Sequence, residues 1–432
     1  MIAPESGVKT SENGVTASEC GMAASESGMT ASECGMAASE SGVMESESGV
    51  MVSESETIAS ADGKTASEIT VFAINPGSTS TKIALVRDGQ ALFSANVSHD
   101  ADALAAFEDI SSQLPYRRDT IIEQLEAENI DLAGVDAFVG RGGGLLAVEG
   151  GTYVVDEVLL RDATIGANGV VHPAQLGSQL AHEFAALYGK PVFVVNPPDT
   201  DELQDVARLT GIKGVHRNVH LHALNQKETA LRHAESIGRR YEECSFVVAH
   251  IGGGTSIAAH RKGRMVDGND IVGGEGPMAP TRCGAVPVSE LLKYSQGKDL
   301  KELKALCTSS GGFVSLLGTA DAVEVVERAR KGDRFAQLAW DTMIYQIVKE
   351  IGAMAAVLHG QVDGVLLGGG LVNNQSLVES IRLACEWIAP VTAYPGEFEM
   401  EAMAAGAVRV LTGAEEAKTY TGIPCWNKAD FE

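Results

Sequence analysis

A chain of 432 residues with 44% hydrophobic side chains has room for two or three domains and a sizeable buried core. Its formal charge of -25 at pH 7 argues against nucleic acid or an anionic membrane surface as the main partner, since like fields repel. No apolar run approaches the roughly 18–20 residues that span a bilayer. The start lacks a basic, apolar leader, and the seven cysteines are scattered without a C-x-x-C; free thiols in a cytoplasmic protein are the expectation.

The first stretch repeats every seven residues, with Glu at 19, 26, 33, 40 and 47 and Gly at 21, 28, 35, 42 and 49. A coiled coil needs two apolar positions per heptad, and these repeats offer essentially one, Met or Val. A glycine in each repeat costs a helix about 1 kcal/mol. An acidic, disordered, low-complexity extension is therefore expected over residues 1–67.

From Glu68 the texture changes. "EITVFAIN" (68–75) alternates like a half-buried strand, and "TKIALVRDGQALFSANVS" (81–98) reads as strand, Asp-Gly turn and strand. Helical spacing follows over 101–113 and 117–128, then a buried strand in "VDAFVGRGGGLL" (135–146). A helix over 173–189, a strand over 190–196 and a helix over 225–241 come next. The opening pattern then returns in "SFVVAHIGGGTSIAAHRKGRMVDG" (245–268): strand, Gly/Thr/Ser bend, strand, Gly turn, strand. A long helix over 334–360, the strand "VDGVLLGGG" (362–370) and a closing helix over 399–413 complete the chain. A repeated strand-bend-strand unit, each copy followed by helices and strands, predicts two similar α/β domains facing each other.

Bends rich in Gly, Ser and Thr suit an anion, because backbone N–H groups and hydroxyls converge there and glycine lets the backbone come close. Three such clusters stand out: Gly77, Ser78 and Thr79; Gly252, Gly253, Gly254 and Thr255; and Gly368, Gly369 and Gly370, where a strand runs into a helix. The chain has no G-x-x-x-x-G-K-[ST] and no kinase H-R-D or D-F-G. A polyphosphate clasped between two duplicated halves fits the pattern.

The arrangement resembles the sugar kinase, Hsp70 and actin superfamily. Within it, "INPGSTSTKIAL", "VGRGGGL", "HALNQK", "VAHIGGGTS", "GEGPMAPTRCG", "VDGVLLGGG" and "PGEFEMEAMAAGAVRVL" resemble, in order, the motifs of butyrate kinase and its branched-chain fatty acid kinase relatives, cousins of acetate kinase. The resemblance runs from about residue 69 to about 420. It implies an α/β fold of two duplicated RNase H-like domains around a nucleotide cleft: 68–224, an interdomain helix 225–244, 245–397, and 398–432 packing back on the first domain. It also implies phosphorylation of a short-chain carboxylate, most simply butyrate or isobutyrate, by ATP with Mg²⁺, reversibly and as a homodimer. The same chemistry on acetate or propionate is an alternative, as is a nucleotide-binding relative without turnover.

By similarity, Arg141 binds the carboxylate or the phosphoryl oxygens, and Arg282 neutralises the group in transfer. His250 contacts phosphate, His172 faces the substrate, and His222 matches a third family histidine. Asn75 orients the phosphoryl group, with Lys82 beside it. Asp321, Asn374 and the third glycine cluster line the nucleotide; Asp321 reads equally as a helix cap. His216 and His220 match no family histidine, and zinc in "HRNVHLH" lacks the Cys or carboxylate ligands it wants. Glu399 is the metal-side acid, with Glu397 behind it. The chain departs from its relatives at Asn196-Pro197, where they usually carry Asp-Pro. A neutral Asn196 orients a metal-bound water without supplying charge, and Asp199 or Asp201 is left to compensate.

Overall fold

The structure, a computed structural model, describes residues 63–431, all within one compact unit. The repeat-bearing segment lies outside the described residues. The folded body starts slightly before Glu68: Lys64 pairs with Asp136, and Ala66–Glu68 forms a 3-10 turn capped reciprocally by Thr65 and Glu68.

A first sheet is built on β1 (Thr70–Pro76), β2 (Ser80–Arg87) and β3 (Gln90–Ser98), antiparallel neighbours. Helices α1 (Ala101–Ala105) and α2 (Leu114–Ala127) follow, then β4 (Ala137–Gly140), β5 (Thr152–Val154), α3 (Glu157–Ile165), α4 (Leu176–Tyr188) and β6 (Val192–Val195). The helix expected over 101–113 is cut to α1 and a 3-10 turn, and α2 restarts with Pro115 in its first turn, where no N–H is missed. Helix α5 (Ala223–Ser236) leads into β7 (Ser245–Ile251), β8 (Thr255–Arg261) and β9 (Arg264–Gly268). Four short helices, α6 (Val288–Tyr294), α7 (Leu300–Leu306), α8 (Gly312–Leu317) and α9 (Ala322–Arg330), precede the long α10 (Arg334–Val357). The chain closes with β10 (Gly364–Gly369), α11 (Gln375–Cys385), β11 (Val391–Pro395), α12 (Glu399–Leu411) and β12 (Lys418–Thr419).

The strand orders are β12-β5-β6-β4-β1-β2-β3 and β11-β10-β7-β8-β9. Read from the antiparallel edge, β3-β2-β1-β4-β6 and β9-β8-β7-β10-β11 are one pattern: three antiparallel strands and then two parallel additions. The duplication visible in the sequence is thus a duplication of sheet topology.

Strand β1 is buried on both faces, which corrects its reading as half-buried. Phe72 and Ile74 pack with Ile121, Leu180 and Phe184 of α2 and α4, while Val71 and Ala73 pack with Met403 and Ala407 of α12. The second cover arrives from more than 300 residues away, so local alternation could not announce it. Helix α5 covers the other sheet through Ala230 and Ala234 against Phe246, Val248 and Leu366. The two covering helices meet, with the Phe398 N–H donating to Asn225 Oδ1 at 3.1 Å and Arg409 paired with Glu228. Among the described residues no helix is long and apolar enough to cross a membrane.

Candidate active site

The β1–β2 bend carries Asn75 at the end of β1, directly across from Lys82 in the ladder. The Gly77 N–H donates to Ser80 O at 2.7 Å, closing the turn and leaving Ser78 and Thr79 exposed at its tip. Beneath the bend lies Arg117, fully buried on α2, which donates to Gly77 O at 2.9 Å and Ser78 O at 3.1 Å.

The strand read over 135–146 stops at Gly140. Residues Gly142, Gly143 and Gly144 follow with φ of 66°, 148° and 73°, a left-handed run that a side chain would strain. Arg141 sits at the hinge between strand and turn, 9% exposed, with Glu399 Oε1 4.0 Å from its Nε and Asn196 O 3.4 Å from an Nη. Glu399, in the first turn of α12, also accepts from Asn75 Nδ2 at 2.7 Å. Burial pushes the Arg141 guanidinium below its usual value against the pull of Glu399 and Asp199.

The β7–β8 bend is its counterpart. Gly252 N–H donates to Gly254 O at 3.0 Å, and the Arg282 guanidinium lies directly over Gly254, where a Cβ would fall 1.5 Å from an Nη. Among the described residues, Arg282 Nε and Nη1 are buried with no hydrogen-bond partner, as is Thr255 Oγ1. Unsatisfied donors on a buried cation are the signature of a site shaped for an anion. His250, 3% exposed, stacks on His222 with ring centroids 4.0 Å apart. His222 Nδ1 lies 2.8 Å from Ser256 Oγ, and His250 Nε2 is 3.8 Å from Glu397 Oε1. Burial, then Arg282, holds His250 down at about 4; burial, His250 and both arginines hold His222 well below its ordinary value. Both rings are therefore neutral at physiological pH.

Asn75, Arg141, His222, His250, Arg282, Glu397 and Glu399 are thus brought together from β1, the turn after β4, the N-terminal end of α5, β7, the post-β9 loop and the N-terminal end of α12. Gly369 closes against this group, with φ 95° and its Cβ position 2.4 Å from Ile251 O. His172 is a cap: its Nδ1 accepts from the Ala174 N–H at 3.1 Å, which leaves Nε2 as the protonated nitrogen of the neutral ring. Partial burial and the charges of Arg141 and Arg117 depress its pKa. Asp321 is the N-cap of α9, accepting from Val323 and Glu324, and Asn374 caps α11 in the same way.

Asn196 is placed otherwise than a metal-side role expects. Its Oδ1 accepts from the Gly151 N–H at 2.8 Å, and the group it turns to Arg141 is its backbone carbonyl. Asp201 is consumed by Arg208 in a two-pronged pair at 2.8 Å. Asp199 keeps a buried Oδ2 without a hydrogen-bond partner among the described residues.

Among the described residues no three His, Cys, Asp or Glu groups converge as a metal cage. Mg²⁺ does not ask for one, because one or two carboxylates with phosphates and waters complete its shell. Glu397 and Glu399 beside Asn75 fit that demand. Burial and the neighbouring Glu399 charge push the Glu397 carboxyl up, a repulsion that a cation relieves.

Sequence reading missed Arg117, Ser256 and Asn225. Arg117 did leave a signal, since it shares the i, i+4 spacing of buried Ile121 and Leu125 on α2.

Residues 209–389 match the acetokinase family. Over 331 residues, 76% of this chain and 93% of theirs, the sequence is 42% identical to two proteins named "Probable butyrate kinase" from Clostridium botulinum, strains Eklund 17B and Alaska E43. The fold is similar to Porphyromonas gingivalis acetate kinase (TM-score 0.65, 20% identity, 79% of this chain and 99% of that one). It is also similar to a Francisella tularensis propionate kinase (TM-score 0.61, 16% identity, 78% and 98%). The chain belongs to the acetokinase family and is a carboxylate kinase.

Proposed function

We propose that the protein transfers the γ-phosphoryl group of ATP to butyrate or isobutyrate, giving the acyl phosphate and ADP, and runs the same step in reverse. The observation that carries this reading is the pair of buried, unpartnered guanidinium nitrogens of Arg282 above Gly254. The name of the relatives at 42% identity supports the choice of acid.

A carboxylate oxygen attacks the γ-phosphorus in line, the bond to the β–γ bridging oxygen breaks, and its electron pair leaves on ADP. No proton changes hands, because a carboxylic acid is ionised above about pH 5. The step therefore needs no general base, which agrees with two stacked imidazoles held neutral. Their task is to donate hydrogen bonds to the phosphoryl oxygens, while Arg141 orients the carboxylate and Arg282 faces the charge that spreads in the transition state. Ser78, Thr79 and Lys82 on one bend, and Gly252 to Thr255 on the other, hold the phosphate chain. Glu397, Glu399 and Asn75 would hold Mg²⁺, which screens the phosphate charges when bound.

The test is ADP release with acetate, propionate, butyrate, isobutyrate and valerate, for the native chain and Arg282→Ala. Butyrate or isobutyrate should give the highest kcat/KM. Arg282→Ala should lower kcat about 10²–10³-fold with little change in KM for ATP. No stimulation by any of the five acids defeats the reading; an undiminished Arg282→Ala rate removes Arg282 from it.

A further inference from the structure

The β1–β2 bend rests on a buried cation that no carboxylate among the described residues neutralises. Arg117 is 0% exposed, and all three of its nitrogens donate. Nε donates to Gln113 Oε1 at 3.1 Å; one Nη to Gly77 O at 2.9 Å, Thr81 Oγ1 at 3.3 Å and Ser80 O at 3.5 Å; the other to Ser78 O at 3.1 Å and Gln113 Oε1 at 3.0 Å. Every acceptor is neutral. In a chain with 58 acidic residues, none of the described carboxylates pairs with it.

Geometry forbids a trivial reading of those contacts. The carbonyls of Gly77 and Ser78 point back at Arg117, and the N–H groups of Ser78 and Thr79 make no backbone hydrogen bond among the described residues. Two oxygens of the bend are thus committed to Arg117, while two of its N–H groups stay free of backbone acceptors among the described residues. A desolvated charge without a counter-ion is costly, and a stapling role alone would be served as well by an ion-paired arginine. The neighbouring His99 adds no second charge, since burial and Arg117 hold it at about 4.

We propose that Arg117 is a positioning residue of the phosphate clasp whose counter-ion is the polyphosphate bound in front of the bend. It aims the donors of Ser78 and Thr79 outward and sets a fixed positive charge behind them. The inference rests on the reading of this bend as half of an ATP site.

Gln113→Glu separates charge from scaffolding. Gln113 must present its oxygen to Arg117, because a guanidinium only donates. The substitution therefore keeps the contacts to Arg117 and supplies the missing carboxylate. Calorimetric titration with ADP, which cannot turn over without acyl phosphate, should show affinity about tenfold weaker in Gln113→Glu, with the melting temperature unchanged or raised. Arg117→Met should lose both affinity and melting temperature, while KM for the acid stays near native in Gln113→Glu. Native ADP affinity in Gln113→Glu would leave Arg117 a structural staple and overturn the proposal. Absence of ADP binding by the native chain would instead remove the ATP site itself.

Discussion

Of the carboxylates just after Asn196, Asp199 is the one not already spent. Asp201 is spent on Arg208 and the Asn196 amide on Gly151, whereas Asp199 keeps one oxygen without a partner. Burial pushes Asp199 up to about 6, against the Leu145 N–H, Asn168, His220 and Arg141, which all favour the anion. A folded value above the unfolded one of about 3.9 means that ionised Asp199 costs stability. Its favourable contribution is complete below about pH 4 and is lost as pH rises through 6. Asp199→Asn keeps the Oδ1 acceptor and drops the charge. It should melt higher than the native chain at pH 8, show no such gain at pH 4, and lose about tenfold in kcat/KM for the acid because Arg141 loses a facing anion. A melting temperature that falls equally at both pH values would make Asp199 an ordinary buried hydrogen-bond acceptor.

At the scale of elements, the site depends on how closely α4 approaches the end of β4. A Cβ at Gly140 would sit 2.1 Å from Gly177 O, and one at Gly177 would sit 2.7 Å from the Arg141 N. Gly177→Ala must therefore push the helix away from the strand or move Arg141. Overpacking of this kind costs about 1–3 kcal/mol, and here it should also raise KM for the carboxylate more than KM for ATP. Equal KM changes would show that Arg141 is not carried by this contact. Such contacts explain what was legible. The two bends could be read because their glycines, hydroxyls and flanking strands lie within one short stretch. The two-sided burial of β1 could not be read, since Met403 and Ala407 come from the other end of the chain. Helices α6 and α7 went unread, and they bury no residue although Val288, Leu291, Leu292 and Leu300 are apolar. Arg117 shares the i, i+4 face of buried Ile121 and Leu125, but the carbonyls it meets come from another element, which no local pattern announces.

At the scale of the molecule, a buried ion pair ties the two sheets to one another. Glu202 is 5% exposed; its oxygens accept from the Gly150 N–H at 2.9 Å, the Met265 N–H at 2.8 Å and Lys227 Nζ at 2.9–3.0 Å. Gly150 lies beside β5 of the first sheet, Met265 is on β9 of the second, and Lys227 is on α5, so one carboxylate ties three elements. Burial alone would raise its pKa, but Lys227 and the backbone donors outweigh it and hold Glu202 below the usual range. The stabilisation is therefore present above its unfolded value of about 4.3 and is lost as pH falls through the lower folded value. Glu202→Ala strands a buried ammonium and two N–H groups, and should cost about 3–5 kcal/mol. Lys227→Met strands the carboxylate and should cost a similar amount. Glu202→Gln with Lys227→Met removes both charges while a side-chain amide remains to meet the backbone donors, so most of the loss should return. Denaturant titrations at pH 7 of the native chain, Glu202→Gln, Lys227→Met and the double variant measure the cycle. Additive losses would mean that the two side chains act separately. Recovery of stability and kcat in the double variant would show that the single losses come from a stranded buried charge and that the two positions are coupled.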